Sequence, residues 1–228
     1  MGPGLEKTAA RHRHQRCGPW PVQVRLATGL TGEEYVRQEA WRSASLPCCP
    51  FHPEGGCGFA RHTPYERVDP PGCLIARWYC RLAHSTVSLL PDFLCSRLTG
   101  PLPEVEASVA VAEAAPSQEL ASEVVRPDIC LPGALRWLRR RVQFVRAGLS
   151  AAIGLLPELL AGCEPTVTSV RSALGVESAL VRLRALVSPP HLAELPPPLG
   201  FGSRPLRRRA SPTALQQEAG PDPPVGER

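Results

Sequence analysis

The stretch Pro47-Cys48-Cys49-Pro50-Phe51-His52-Pro53-Glu54-Gly55-Gly56-Cys57-Gly58-Phe59, followed further on by Trp78-Tyr79-Cys80-Arg81-Leu82-Ala83-His84, decides how the first half of the chain is read. It offers two knuckles of soft or borderline metal ligands separated by short β-type runs, and four such ligands suit a tetrahedral Zn²⁺. Cys80 and His84, spaced Cys-x3-His, form the second knuckle. The first begins at Cys49. Its partner is either Cys57, across a glycine-rich loop, or His52 at the tighter Cys-x2-His spacing, and we favour Cys49 and Cys57. Cys48 and His52 are the alternates. Gly55, Gly56 and Gly58 permit the positive φ values that a turn around an ion needs.

Composition agrees with a metal-dependent fold. Six of the nine cysteines fall between Cys48 and Cys95, and an odd total argues against a disulfide framework. Aromatic residues supply 5% of the 228 positions, which leaves little bulk for a core, so a structural ion is expected to supply folding energy. The 27 prolines disfavour long uninterrupted helices and large sheets. No apolar stretch reaches the length of about 20 residues that a spanning helix needs, and no signal peptide is visible, so a cytoplasmic chain without membrane contact is expected.

Four regions follow. Residues 1–19 read as a disordered basic arm, 20–98 as a zinc-ribbon domain, 103–187 as a helical helix-turn-helix-like domain, and 188–228 as a Pro/Arg-rich disordered tail. The expected fold class is α+β: a small β-rich ribbon followed by an all-α bundle, with disordered termini. Val22, Val24 and Leu26 alternate with polar residues as in a short strand, and Thr31-Gly-Glu-Glu opens a helix. Leu74 to Tyr79 is a further β-type run. Beyond Pro103 the periodicity predicts a helix through Val105 and Val109, a second capped by Ser117, and a third from Leu131 to Arg146. Leu149–Leu160 and Val167–Val187 read as two more, suited to bundle packing or to a homodimer interface.

In the third of these helices Leu131, Leu135, Leu138, Val142 and Val145 make an apolar stripe. The other faces carry Arg136, Arg139, Arg140, Arg141 and Arg146, with no acidic residue inside the helix to neutralise them. Helix, turn and arginine-backed helix is the layout of a recognition helix for the major groove, and the arginine fork grips phosphate or reads guanine. These five arginines are the expected contacts to double-stranded DNA. The other reading is a zinc-stabilised protein-interaction module with no nucleic-acid role, its C-terminal tail recruiting a protein partner.

The residues Cys49-Pro-Phe-His-Pro-Glu-Gly-Gly-Cys57, Arg61-His62-x-x-Tyr65 and Ala76-Arg77-Trp78-Tyr79-Cys80-x-x-x-His84-Ser-Thr-Val-Ser-Leu-Leu-Pro91-Asp92 resemble bacterial zinc-ribbon proteins related to insertion-element transposases. The likeness covers about residues 47–95, with His84 standing where those relatives more often have cysteine. Glu119 to Arg140 is similar to the helix-turn-helix that follows the ribbon in them. The resemblance implies a DNA-binding protein of mobile-element origin. Transposases of that kind also carry three carboxylates on a ribonuclease-H-like fold. Here the four aspartates, Asp69, Asp92, Asp128 and Asp222, each adjoin proline and read as turn residues. No nuclease domain and no catalytic residue is expected.

Overall fold

The computed structural model describes residues 23–202. The expected basic arm at 1–19 and the last part of the expected tail, from residue 203, lie outside the described residues. Within them the architecture is mixed α and β: one four-stranded sheet and eight helices.

The sheet comprises β1 (Gln23–Leu26), β2 (Ala60–Glu66), β3 (Leu74–Cys80) and β4 (Ser85–Pro91), in the order β1-β4-β3-β2. β3 and β4 form a hairpin closed at Cys80 and Ser85, and β1 adds to β4 in parallel. β2 is an edge strand with an irregularity between His62 and Tyr65, where Pro64 has no N–H to give to the ladder. Helix α1 (Gly32–Arg37) starts where the sequence places it: Thr31 and Glu34 complete a capping box. Its Tyr35 is fully buried, packs edge-on against Phe93 and donates a hydrogen bond to the Leu74 carbonyl at 3.0 Å. Trp41, Cys73, Ile75, Leu89 and Leu94 complete the core beneath it.

The helical part contains α2 (Leu102–Ala114), α3 (Gln118–Val125), α4 (Leu131–Leu155), α5 (Pro157–Leu160), α6 (Val167–Leu174), α7 (Ala179–Leu186) and α8 (Pro189–Glu194). Two helix boundaries differ from the sequence reading. The helix expected to end near Arg146 runs on to Leu155, because Leu149 and Ala152 extend the same buried stripe and no proline intervenes before Pro157. The single helix expected over 167–187 is divided by Gly175, which adopts the left-handed conformation at φ 63° and caps α6.

Two carboxylates on α2 organise these later helices. Glu106, fully buried, accepts the backbone N–H groups of Ala179 and Leu180 at 2.8 and 2.9 Å and pairs with Arg171 at 2.6 Å. It sits at the N-terminus of α7, where the unpaired N–H groups and the helix dipole favour negative charge. Two turns further along α2, Glu113 does the same for α6 through the N–H groups of Val167 and Thr168.

The tail expected from residue 188 requires correction. Residues 188–202 are folded: Leu192, Leu195 and Phe201 are buried against the sheet core, and Leu199 against the helical core. The prolines there begin α8 and shape the return. Apolar residues between them supply the burial that composition alone hid.

Arg184 holds this return in place. Its side chain is fully buried and donates to the carbonyls of Asp92 and Leu94, at the end of the sheet region, and to those of Pro198 and Leu199. Burial lowers its pKa to about 10, still well above neutrality. Arg184→Met leaves those carbonyl oxygens buried without a donor, and a loss of about 3 kcal/mol or more is expected in urea unfolding. Arg184→Lys recovers only part of it, since an ammonium lacks the planar fork.

Candidate functional site

Residues 44–59 have almost no regular secondary structure, and their side chains gather around a small cluster of Cys49, Cys57 and Cys80 flanked by Phe51, Phe59 and Ala83. The turn after Cys49 brings His52 back on itself, with the His52 N–H bonded to the Cys49 carbonyl at 3.2 Å. Gly55, Gly56 and Gly58 all have positive φ and turn the chain towards Cys57. Cys80 arrives from the end of β3. The ligand atoms of Cys49, His52, Cys57 and Cys80 lie within 4.8 Å of one another.

This arrangement could hold a metal ion. The His52 Nδ1 is 3.8 Å from the Cys49 sulfur and 3.3 Å from that of Cys80. Ligands at ordinary Zn–S and Zn–N lengths span tetrahedral edges of about 3.5–3.8 Å, so the donors stand close to coordinating positions. Four protein donors close the site, which suits a structural ion. Burial drives the Cys49 thiol up to about 11. Burial acts on Cys80 in the same sense, but the Ala83 N–H at 3.3 Å and the neighbouring thiols outweigh it and lower its pKa. Loading an ion therefore displaces protons, and acidification opposes it.

Three of the four sequence-derived ligands, Cys49, Cys57 and Cys80, are brought together, with the alternate His52 completing the group. His84 and Cys48 lie outside it. His84 occupies the β3–β4 turn at φ 47°, and its Nδ1 is 3.3 Å from the Tyr79 hydroxyl. The hairpin geometry sends it away from the thiols. Cys48, adjacent to Cys49, is exposed.

The five arginines of α4 do not share one environment. Arg136, Arg139, Arg140 and Arg146 are exposed, together with Gln143, Ala147 and Ser150, and these positions recur at helical steps on a single outward face. Arg141 is buried instead. Its Nη2 donates to the Thr99 carbonyl at 3.1 Å and its guanidinium lies 3.5 Å from the Trp137 ring centre. It falls on the inward stripe with Ala134, Leu138 and Val145, so its expected place among exposed contacts is corrected. The acidic partner missing within α4 comes from α3: Glu119 pairs with Arg139 at 3.2 Å. Gln143, not singled out in the sequence, shares this outward face, and its spacing from Arg136, Arg139 and Arg146 was the available signal.

Comparison of the chain with protein-family models, curated proteins and solved structures found no match. The site therefore rests on its own geometry. Metal-loaded protein is expected to carry a single ion, retained in His84→Ala and Cys48→Ser and lost from His52→Ala and Cys80→Ser, as native mass spectrometry will read. With free metal at ~1,000 times Kd, removing it with a chelator is expected to cost about 4 kcal/mol of stability.

Proposed function

We propose that the chain is a zinc-stabilised protein that binds double-stranded DNA, of transposase-related origin and without a nuclease domain of its own. Zn²⁺ is the ion that a closed Cys3His donor set suits best. It ties the irregular segment at 44–59 to the end of β3 and so completes the sheet region, with no part in chemistry.

The observation that carries the DNA reading is the outward face of α4. It presents Arg136, Arg139, Arg140, Gln143 and Arg146 along one side of a 25-residue helix that contains no acidic residue. The paired donors of arginine match the two acceptors of guanine in the major groove, and the donor and acceptor of the glutamine amide match adenine. α3 precedes α4 across residues 126–130 and packs against it, in the manner of the first helix of a helix-turn-helix pair. The short α3 would cross the backbone while α4 enters the groove.

The expected result is duplex binding whose affinity falls steeply with salt. The triple variant Arg136→Ala, Arg140→Ala, Arg146→Ala removes up to three phosphate contacts and is expected to flatten the salt slope by roughly 2.7. Duplex binding that ignores salt, or a triple variant equal to wild type in fluorescence anisotropy, contradicts the reading.

A second reading, a zinc-stabilised protein-interaction module, is favoured by one feature. Leu120 and Val124 lie one turn apart on α3 and are 52% and 72% exposed, with Leu131 nearby in sequence at 40%. Under that reading, Leu120→Glu with Val124→Glu abolishes association with a protein partner or a second copy and leaves DNA out of the account.

A further inference from the structure

A cleft of about 310 Å³ opens where the loop after β4 meets the first turns of α4. Its walls include Arg97, Thr99, Arg136, Trp137, Arg140 and Arg141. Among the described residues no carboxylate lines it. A second hollow, of about 440 Å³, lies on the sheet and is walled by Tyr65, Arg77, Thr86, Ser88 and Arg97, again with no carboxylate among the described residues. Arg97 lines both.

Four guanidinium groups facing one cavity repel each other unless something neutralises them. Arg141 is partly provided for by the Thr99 carbonyl and the Trp137 ring, and Asp69 and Glu104 line a separate cavity on its other side. Arg140 lies over the Phe144 ring, which offers a weak counterpart. Arg97 and Arg136 reach the cleft from different segments, and Arg97 does so in a left-handed backbone conformation, φ 56°, that arginine seldom adopts. Burial, together with the nearby Arg126 and Arg140, lowers the pKa of Arg141 to about 10. The field in the cleft is accordingly strongly positive, and the arginine forks suit tetrahedral oxyanions.

We propose that this cleft is a phosphate-binding site, and that Arg97 leads a phosphodiester backbone from the α4 face onto the sheet, where Arg77, Thr86 and Ser88 contact the next phosphate. The choice of phosphodiester as occupant rests on the DNA reading above; the phosphate site does not. Arg97 is new to the footprint because it lies outside the helix that the sequence pattern singles out.

The test uses the full metal-loaded chain. Arg97→Gly and Arg97→Asn remove the guanidinium yet suit a positive φ, so the loop keeps its shape. Arg182→Ala, an exposed residue of α7, serves as the control. Metal content and melting temperature verify folding. Duplex affinity is measured across salt, and inorganic pyrophosphate binding is measured by calorimetry. Both Arg97 variants are expected to bind duplex about tenfold more weakly, with a salt slope smaller by about 0.9, and to lose pyrophosphate binding, with the control unchanged. If duplex and pyrophosphate bind both Arg97 variants as they bind wild type, the cleft is overturned and the DNA reading survives. If wild type holds pyrophosphate, the Arg97 variants do not, and no duplex binds, the phosphate site stands and the DNA reading falls. If wild type binds neither, both are overturned.

Discussion

The buried guanidinium of Arg184 is the interaction on which the arrangement of the described chain depends. It projects from α7 and gathers carbonyls from two distant places, Asp92 and Leu94 after β4 and Pro198 and Leu199 in the C-terminal return. A charge without a buried carboxylate partner is tolerated there because several backbone dipoles replace its hydration. The same device recurs on a smaller scale. Arg61 donates to the carbonyls of Trp41 and Ala44, Arg67 to those of Cys95 and Leu98, and Arg141 to that of Thr99. Much of the segment from Asp92 to Thr99 is held this way, and arginine supplies what the scarce aromatic residues cannot.

Apart from those that pair with a carboxylate, such as Arg126 and Arg171, the arginines named above fall into two groups by direction, with Arg141 shared between them. Those turned inward fasten irregular backbone, and those turned outward along α4 or towards the cleft have few counter-charges. The Cys3His cluster bears on a related problem at the other end of the sheet. Residues 44–59 lack a substantial core of their own, and three thiols and an imidazole gather there in an arrangement that could hold an ion, whose coordination would take the place of packing. Both lie where the backbone has little regular hydrogen bonding, and they serve separate segments.

Local signals in the sequence carried most of the elements. The capping box at Thr31, the Ser117 cap, the β-type run at Leu74 and the helical stripe of α4 all appear where the residues place them. Tertiary geometry decided the rest. Whether His52 or His84 faces the thiols depends on the sense of two turns, one opened by glycines at positive φ and one closing a hairpin, which spacing does not encode. Arg141 is a matter of stripe width: Leu138, Val142 and Val145 are buried as the apolar count places them, but the buried face also takes in Ala134 and Arg141, which that count passes over, and leaves Leu131 and Leu135 partly outside. The proline-rich return beyond Ser188 looked like a tail because Pro196, Pro197 and Pro198 interrupt the helical spacing of Leu192, Leu195 and Leu199, although each of these and Phe201 is buried.

The division of the arginines is the central claim, and the side chains themselves can report it. In the metal-loaded chain, the arginine Nε–Hε resonances followed by NMR during titration with duplex DNA separate the two classes. The account predicts that Arg97, Arg136, Arg140 and Arg146 shift and become protected from exchange as DNA is added, while Arg61, Arg67 and Arg184 are protected from the outset and stay where they are. Perturbation confined to the buried set, or none anywhere, contradicts it.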